Sequence, residues 1–285
     1  MQVTRIGLDI AKNVFQVHGV EAQGKGVVRK HLKRSKVVAY FAQLPACRIG
    51  REACGSAHYG GRELQKLGHE VRVMAVQLLK PSRAKPKNDR NEAEASCEAV
   101  SRPQMRFVPI KTGEQQAGLT VHRARELVVS ERTAVAKQMR GLLMEDGLVI
   151  AAGLQRLRRE LPTVLTTTEE VLPPLARSVV SEFQGRLPGL DERLAGHDRQ
   201  SAQVAKQGEA AKRLMAVEGV GPITATAVAA TGGDAKAFSH GRQFAAGLGL
   251  VPKQFSSGGK AVLGRIPKQG TVDLRPLLLH GARAV

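Results

Sequence analysis

The pattern of apolar and polar positions changes character twice along the chain. Up to about residue 110 the apolar residues fall in short alternating runs. Segments 4–10, 14–20 and 26–32 read as three strands, the first two paired as a hairpin, with Ala22-Gln23-Gly24-Lys25 as the turn into the third. Ser35 is placed to cap a short helix that ends at Leu44 before Pro45. A strand over 47–53, a helix near 59–67 closed by Gly68, a strand over 70–75 and a helix over about 88–100 follow. Three antiparallel strands, then strand–helix–strand–helix, is the order of a ribonuclease-H-like mixed sheet, and other α/β folds share parts of it.

From 111 to 207 the period becomes helical. Val128, Val135, Met139 and Leu142 recur at helix spacing, and Leu187, Leu190 and Leu194 line one side of a second helical stretch over 175–207. An antiparallel helical hairpin accounts for this, and a coiled-coil arm used for dimerisation is compatible with it. Pro173-Pro174 breaks the pattern, and Pro188 should bend the second helix. In 208–285, two apolar helical segments, 210–217 and 222–231, flank Gly219-Val220-Gly221-Pro222, a helix–hairpin–helix pattern. There the glycines allow the tight turn, and the N–H groups opening the next helix can face a phosphate.

Charge narrows the partners. The 285 residues carry 44 Lys+Arg against 25 Asp+Glu, a net charge of +19, which favours a nucleic acid. With no Trp, two Tyr and seven Phe, affinity should come from phosphate contacts more than from base stacking. Three cysteines form no disulfide framework or metal-site spacing. No signal core or apolar run long enough for a membrane span is visible, so a cytoplasmic protein is expected.

Four acids sit where a carboxylate is physically awkward. Asp9 interrupts the apolar run Ile6-Gly7-Leu8-Asp9-Ile10, Glu52 ends the strand over 47–53, and Asp89 and Glu92 open a helix after a basic stretch that includes Lys85 and Lys87. Asp89 and Glu92 are three apart and share a helix face. Glu94 and Glu98 fall elsewhere on that helix. Hard oxygen ligands converging at one sheet edge would hold one or two Mg²⁺ about 4 Å apart for phosphodiester chemistry. Ser256-Ser257-Gly258-Gly259-Lys260 reads as a flexible or phosphate-contacting loop, in a stretch with Lys253, Lys260, Arg265 and Lys268 and no acids. His58, His240 and His280 read as structural or phosphate-contacting residues.

Several segments together resemble one family. They are Gly7-Leu8-Asp9-Ile10-Ala11-Lys12, Glu52-Ala53-Cys54-Gly55-Ser56, 87–95, Gly219-Val220-Gly221-Pro222 and Gly247–Pro252 followed by Ser256–Lys260. In that order, over nearly the whole chain, they look like insertion-sequence transposases of the IS110 family, IS1111 subgroup, also called Piv/MooV-like or DEDD recombinases. The resemblance implies an α/β plus all-α protein in three parts. These are a RuvC-like (RNase H fold) domain over 1–110, a helical or coiled-coil arm over 111–207, and a C-terminal transposase domain over 208–285. It implies a metal site on Asp9, Glu52, Asp89 and Glu92 that binds Mg²⁺, and a serine nucleophile for which Ser257 is chosen. It further implies DNA as substrate, a bridge RNA as guide, and a homo-oligomer, dimer or tetramer. Lys85, Lys87, Gly219, Gly221, Lys253, Lys260, Arg265 and Lys268 are the expected nucleic-acid contacts.

The chain departs from the family pattern in places. The fourth acid is Glu92 instead of Asp, Pro188 lies in the arm, Pro276 falls where the family continues a helix, and the tail is short. These departures keep two alternatives open: a decayed nucleic-acid-binding remnant, and a metal-dependent RuvC-like junction nuclease with no serine step.

Overall fold

The structure is a computed structural model that describes residues 2–79, 88–167, 171–232, 238–267 and 273–285. Lys85, Lys87 and Lys268 lie outside the described residues. The chain divides into two compact units, one essentially residues 1–114, the other 115–232 with 238–285.

The first unit is built on six strands: β1 (Arg5–Ile10), β2 (Val14–Val20), β3 (Gly26–Lys33), β4 (Arg48–Glu52), β5 (Glu70–Met74) and β6 (Phe107–Val108). Their order in the sheet is β3-β2-β1-β4-β5-β6. The β1–β2, β2–β3 and β5–β6 pairs are antiparallel, whereas β1–β4 and β4–β5 are parallel. The sheet is therefore mixed, with β1 at its centre. The two-residue β6 is too short for an alternation signal, so the sequence reading passes over it.

Each face is covered for a different reason. Ile6, Leu8, Ile49 and Val71 point to the side where α1 (Val37–Phe41) and α2 (Ala57–Lys66) bring Val37, Phe41 and Leu64. The opposite face is flat at its centre. Gly7 and Gly50 lie opposite each other in the β1–β4 register. A Cβ on Gly7 would lie 1.8 Å from the Ala93 carbonyl oxygen, and one on Gly50 2.6 Å from that of Ser96. Two absent side chains thus let helix α4 (Asp89–Ala99) pack its backbone against the sheet.

One element differs from the sequence expectation. Ser35 does not cap a helix; it lies inside a 3₁₀ turn over Arg34–Lys36 that leads into α1, and no side chain caps that turn. The short helix α3 (Val76–Leu79) follows β5 directly.

Arg51 is the anomaly of the apolar face. It is 1% exposed; Nη2 donates to the Ser56 carbonyl oxygen at 3.4 Å, while Nε and Nη1 have no partner. Desolvation lowers its pKa to about 10. Gly60 gives the guanidinium its room, since a Cβ there would meet Nη1 at 2.5 Å. A buried cation with unmet donors costs more than an apolar side chain of similar length. Arg51→Met is expected to stabilise the chain by about 1–3 kcal/mol, read as a higher urea midpoint. A lower midpoint would show that the guanidinium contributes net stability.

The second unit is helical. Helices α5 (Gly113–Glu145), α6 (Leu154–Thr167) and α7 (Pro174–Gln207) share one core of Val128, Val135, Met139, Leu143, Leu157, Leu161, Val180, Leu187, Leu190 and Leu194. Arg125 pairs with Asp198 at 2.6 Å, Arg132 with Asp191 at 3.0 Å and Glu131 with Arg193 at 3.7 Å. Those pairings run in opposite directions along α5 and α7, so the two long helices are antiparallel. Helix α7 is continuous through Pro188, and Pro173-Pro174 sets its start, with Pro173 at the N-cap. The unit continues through α8 (Glu209–Met215), α9 (Pro222–Gly232), α10 (Gly241–Gly247) and α11 (Leu274–Arg283). Pro276 falls in the first turn of α11, where its missing N–H would have had no helical partner anyway.

Candidate metal centre

The carboxylates gather where the parallel strands end. The β1–β4 register runs from Arg5 opposite Arg48 to Leu8 opposite Arg51, and one further step sets Asp9 beside Glu52. Both lie two residues beyond the paired glycines, so strand alternation points both toward α4. Helix α4 opens with Asn88, whose side chain accepts from the Asn91 N–H at 2.8 Å, and its first turn contains Asp89 and Glu92. The positive end of the helix favours acids there.

One oxygen each of Asp9, Glu52 and Glu92 lies within 4.8 Å of the other two, and all three side chains are half-buried. Two ligands on opposite sides of an Mg²⁺ ion lie about 4.2 Å apart, so the three need little movement to share one ion. Asp89 is exposed and not part of that triad. Its charge nevertheless reaches Asp9. The longer stem of Glu92 therefore does not remove it from the cluster; the shorter Asp89 is the outlying member.

Asp9 shows what this gathering costs. Desolvation, followed by the charges of Glu92, Asp89 and Glu52, raises its pKa to about 6 against the pull of the Ile10 backbone N–H. Partial desolvation also raises the Cys54 thiol against the pull of Arg51, so a protonated sulfur stands beside an all-oxygen cluster. Hard oxygens suit Mg²⁺ or Mn²⁺. Directly across β2 from Asp9 is Gln16, 4% exposed, with a buried Oε1 that has no hydrogen-bond partner. The sequence reading missed Gln16, because a glutamine in a strand inside the sheet has no distinctive signal; only the register puts it next to Asp9.

A raised acid pKa fixes the sign of the pH dependence. The stability Asp9 contributes is complete below about pH 4 and is lost as pH rises through about 6, on the order of 1–2 kcal/mol once partial exposure is allowed for. A divalent ion should compensate only where the cluster is ionised. Mg²⁺ is expected to raise the unfolding temperature by a few degrees at pH 8 and hardly at pH 5. Equal shifts at the two pH values would contradict this.

In the second unit, residues 253–265 form a small hairpin. Gln254 bridges Leu263 and Ser257 bridges Lys260, and the Lys260 N–H donates to the Ser257 carbonyl oxygen at 3.0 Å. Gly258 and Gly259 both have positive φ, 56° and 76°, as a two-residue type I′ turn demands. What reads as a flexible loop in the sequence is thus a defined turn. The Ser256 hydroxyl oxygen accepts from the Val262 N–H at 3.3 Å and the Gln254 side chain at 2.8 Å. Ser257 is exposed at the tip, and Lys253, Lys260 and Arg265 are exposed along the hairpin.

Gly219 and Gly221 lie in the turn between α8 and α9. Gly219 has φ 77°, and a Cβ on it would lie 2.4 Å from the Gly281 carbonyl oxygen of α11, so it serves close packing. A Cβ on Gly221 would meet nothing within 4 Å. His58 accepts from the Lys111 N–H and His240 from the Gln243 N–H, both structural roles; His280 is exposed on α11.

Fold and site together describe a strongly basic α/β and helical protein with three carboxylates close enough to share a cation. Comparison with known proteins shows its family. Residues 211–285 match the family described as "Transposase IS116/IS110/IS902 family". A protein of Pseudomonas aeruginosa PAO1 named "Probable family 20 transposase" is 50% identical over the whole chain and 85% of its own length. The transposase for insertion sequence element IS1111A of Coxiella burnetii is 40% identical over 98% of this chain and 77% of its own. That for IS1328 of Yersinia enterocolitica is 37% identical over 99% and 83%. The chain belongs to the IS116/IS110/IS902 family of transposases. DNA is accordingly its partner, and no helix among the described residues is long and apolar enough to cross a membrane.

Proposed function

We propose that the chain is a DNA transposase in which an RNase H-like (RuvC-like) domain over 1–110 binds Mg²⁺ and Ser257 attacks DNA. The observation that carries the metal half is the approach of Asp9, Glu52 and Glu92 from three separate elements. Asp89 completes the set once a partner draws the start of α4 inward. Mg²⁺ held there supplies Lewis-acid stabilisation to phosphodiester oxygens.

The choice of Ser257 over Ser256 rests on availability. The Ser256 hydroxyl oxygen already accepts two hydrogen bonds, while Ser257 stands exposed at the tip of a turn. In the step proposed, the Ser257 Oγ–P bond forms as a P–O bond to deoxyribose breaks. The serine proton leaves to a base or solvent, and the released oxygen takes one up. Attack by the hydroxyl of another strand reverses the step and rejoins DNA without loss of the phosphoester bond. Lys253, Lys260 and Arg265 offset the charge on the phosphoryl oxygens. Gly221, at the open side of a helix–hairpin–helix turn, adds a backbone contact to phosphate. A bridge RNA guides the choice of DNA, and the helical arm over 111–207 serves assembly of a homo-oligomer together with the C-terminal domain over 208–285.

The test is a denaturing gel of labelled element-end DNA incubated with the protein, Mg²⁺ and RNA transcribed from the element's flank. A covalent protein–DNA adduct is expected with the wild-type chain and none with Ser257→Ala. Cleaved DNA without adduct would favour the junction-nuclease reading. Binding with neither cleavage nor adduct would favour the remnant.

A further inference from the structure

The hairpin over 253–265 has a feature that phosphate chemistry does not use. Phe255, Val262 and Leu263 are 66%, 53% and 65% exposed, in a chain with few aromatic residues. The pairing sorts them. The Phe255 N–H donates to the Val262 carbonyl oxygen at 2.8 Å, and the bridges at Ser257–Lys260 and Gln254–Leu263 belong to the same register. Alternation from that register puts Lys253, Phe255, Ser257, Lys260, Val262 and Gly264 on one face. Leu263 falls on the other. The Phe255 ring lies over Gly264, where an added Cβ would come within 3.2 Å of its Cε2.

One face of a defined turn thus presents a hydroxyl, an apolar pair and two lysines. We propose that Phe255 and Val262 form a wedge that packs against a DNA base unstacked beside the phosphodiester that Ser257 attacks. Three observations select this occupant. The surface is basic, with Lys253, Lys260 and Arg265 and no acid over 250–267, so it complements a polyanion. A second copy seated symmetrically on the same face would set those cations against their own counterparts. Finally, Phe255 is two strand residues from Ser257, about 7 Å, which is about the rise of one opened base step, twice the stacked 3.4 Å. A ring at that distance meets a base next to a phosphate held at the serine. Apolar side chains in such positions hold base steps open, and an aromatic face accepts any base.

The wedge rests on the reading of Ser257 as nucleophile for its position relative to the reacting phosphate, and the two can fail separately. The probe is an element-end duplex with 2-aminopurine next to the attacked phosphate, whose fluorescence rises when the base leaves the stack. The full-length protein with its RNA and Mg²⁺ is expected to raise it. Phe255→Ala combined with Val262→Ala should cut the rise about threefold or more while duplex affinity falls less than about threefold, because phosphate contacts dominate affinity. Phe255→Tyr, which keeps a ring, should retain the rise. Ser257→Ala should retain the rise and lose the adduct; an adduct that persists there overturns the serine reading alone. An undiminished rise in the double variant would overturn the wedge. So would loss of self-association on sedimentation of that variant, which would make a second copy the occupant.

Discussion

Asp9→Ala is expected to lower adduct formation and recombination by about a thousandfold or more, with DNA affinity little changed. The substitution removes one carboxylate of a triad whose ligand oxygens lie within 4.8 Å of one another. Losing one well-placed electrostatic stabiliser of a phosphoryl transition state forfeits about 4 kcal/mol, and each 1.4 kcal/mol is about tenfold in rate. Affinity is governed by cations elsewhere on a chain of net charge +19, so binding and turnover should separate. Loss of one acid also relieves repulsion within the cluster, so without metal the variant should be more stable than the wild type at pH 8. An inactive, stabler protein is hard to explain as misfolding. Recombination that survives Asp9→Ala would remove Asp9 from the reaction.

Gly7→Val is expected to detach α4 and take the metal centre with it. Even the first carbon of a side chain would sit 1.8 Å from the Ala93 carbonyl oxygen, 2.5 Å from the Cys97 nitrogen and 2.8 Å from the Cys97 Cβ. Two of those neighbours are backbone, so no rotamer change can clear them. Either the sheet or the helix must move, at a cost of about 3 kcal/mol or more. Gly50→Ala should act similarly through the Ser96 carbonyl oxygen at 2.6 Å and the Val100 Cβ at 2.7 Å. The measurement is urea unfolding with and without Mg²⁺, in which both variants lose stability and the metal-dependent increment together. Gly141→Ala, within helix α5 with open space around its added carbon, should be stabilising by up to about 1 kcal/mol. A Gly7→Val protein as stable as the wild type would mean that α4 does not rest on the sheet as described.

The two glycines also show where sequence reading stops. Asp9 and Glu52 are legible because each breaks or ends an apolar run, and strand alternation tells which face they share. Glycine inside a strand reads only as a weakness until the register pairs Gly7 with Gly50. Only then do the docking of α4 and the choice between the two acids of its first turn follow. Three-residue spacing sets Asp89 and Glu92 on one face but does not say which reaches the strands; the geometry selects Glu92. The same holds at the hairpin. Ser-Ser-Gly-Gly-Lys looks like a loose loop because glycine is permissive, whereas the paired positive φ values make it a defined turn that fixes which residues share a face with Ser257. Arg51 illustrates the converse case. The hydrophobic pattern admits it at the end of a strand, and nothing in the sequence announces that its guanidinium is buried without an acid.

The central claim is that Asp9, Glu52 and Glu92 hold a divalent ion in this fold, and Mn²⁺ binding followed by electron paramagnetic resonance at pH 8 tests it most directly. Asp9→Ala and Glu92→Ala should each weaken binding by about tenfold or more, and Asp89→Ala by less, since Asp89 lies outside the triad. Unchanged Mn²⁺ affinity in both Asp9→Ala and Glu92→Ala would contradict the account.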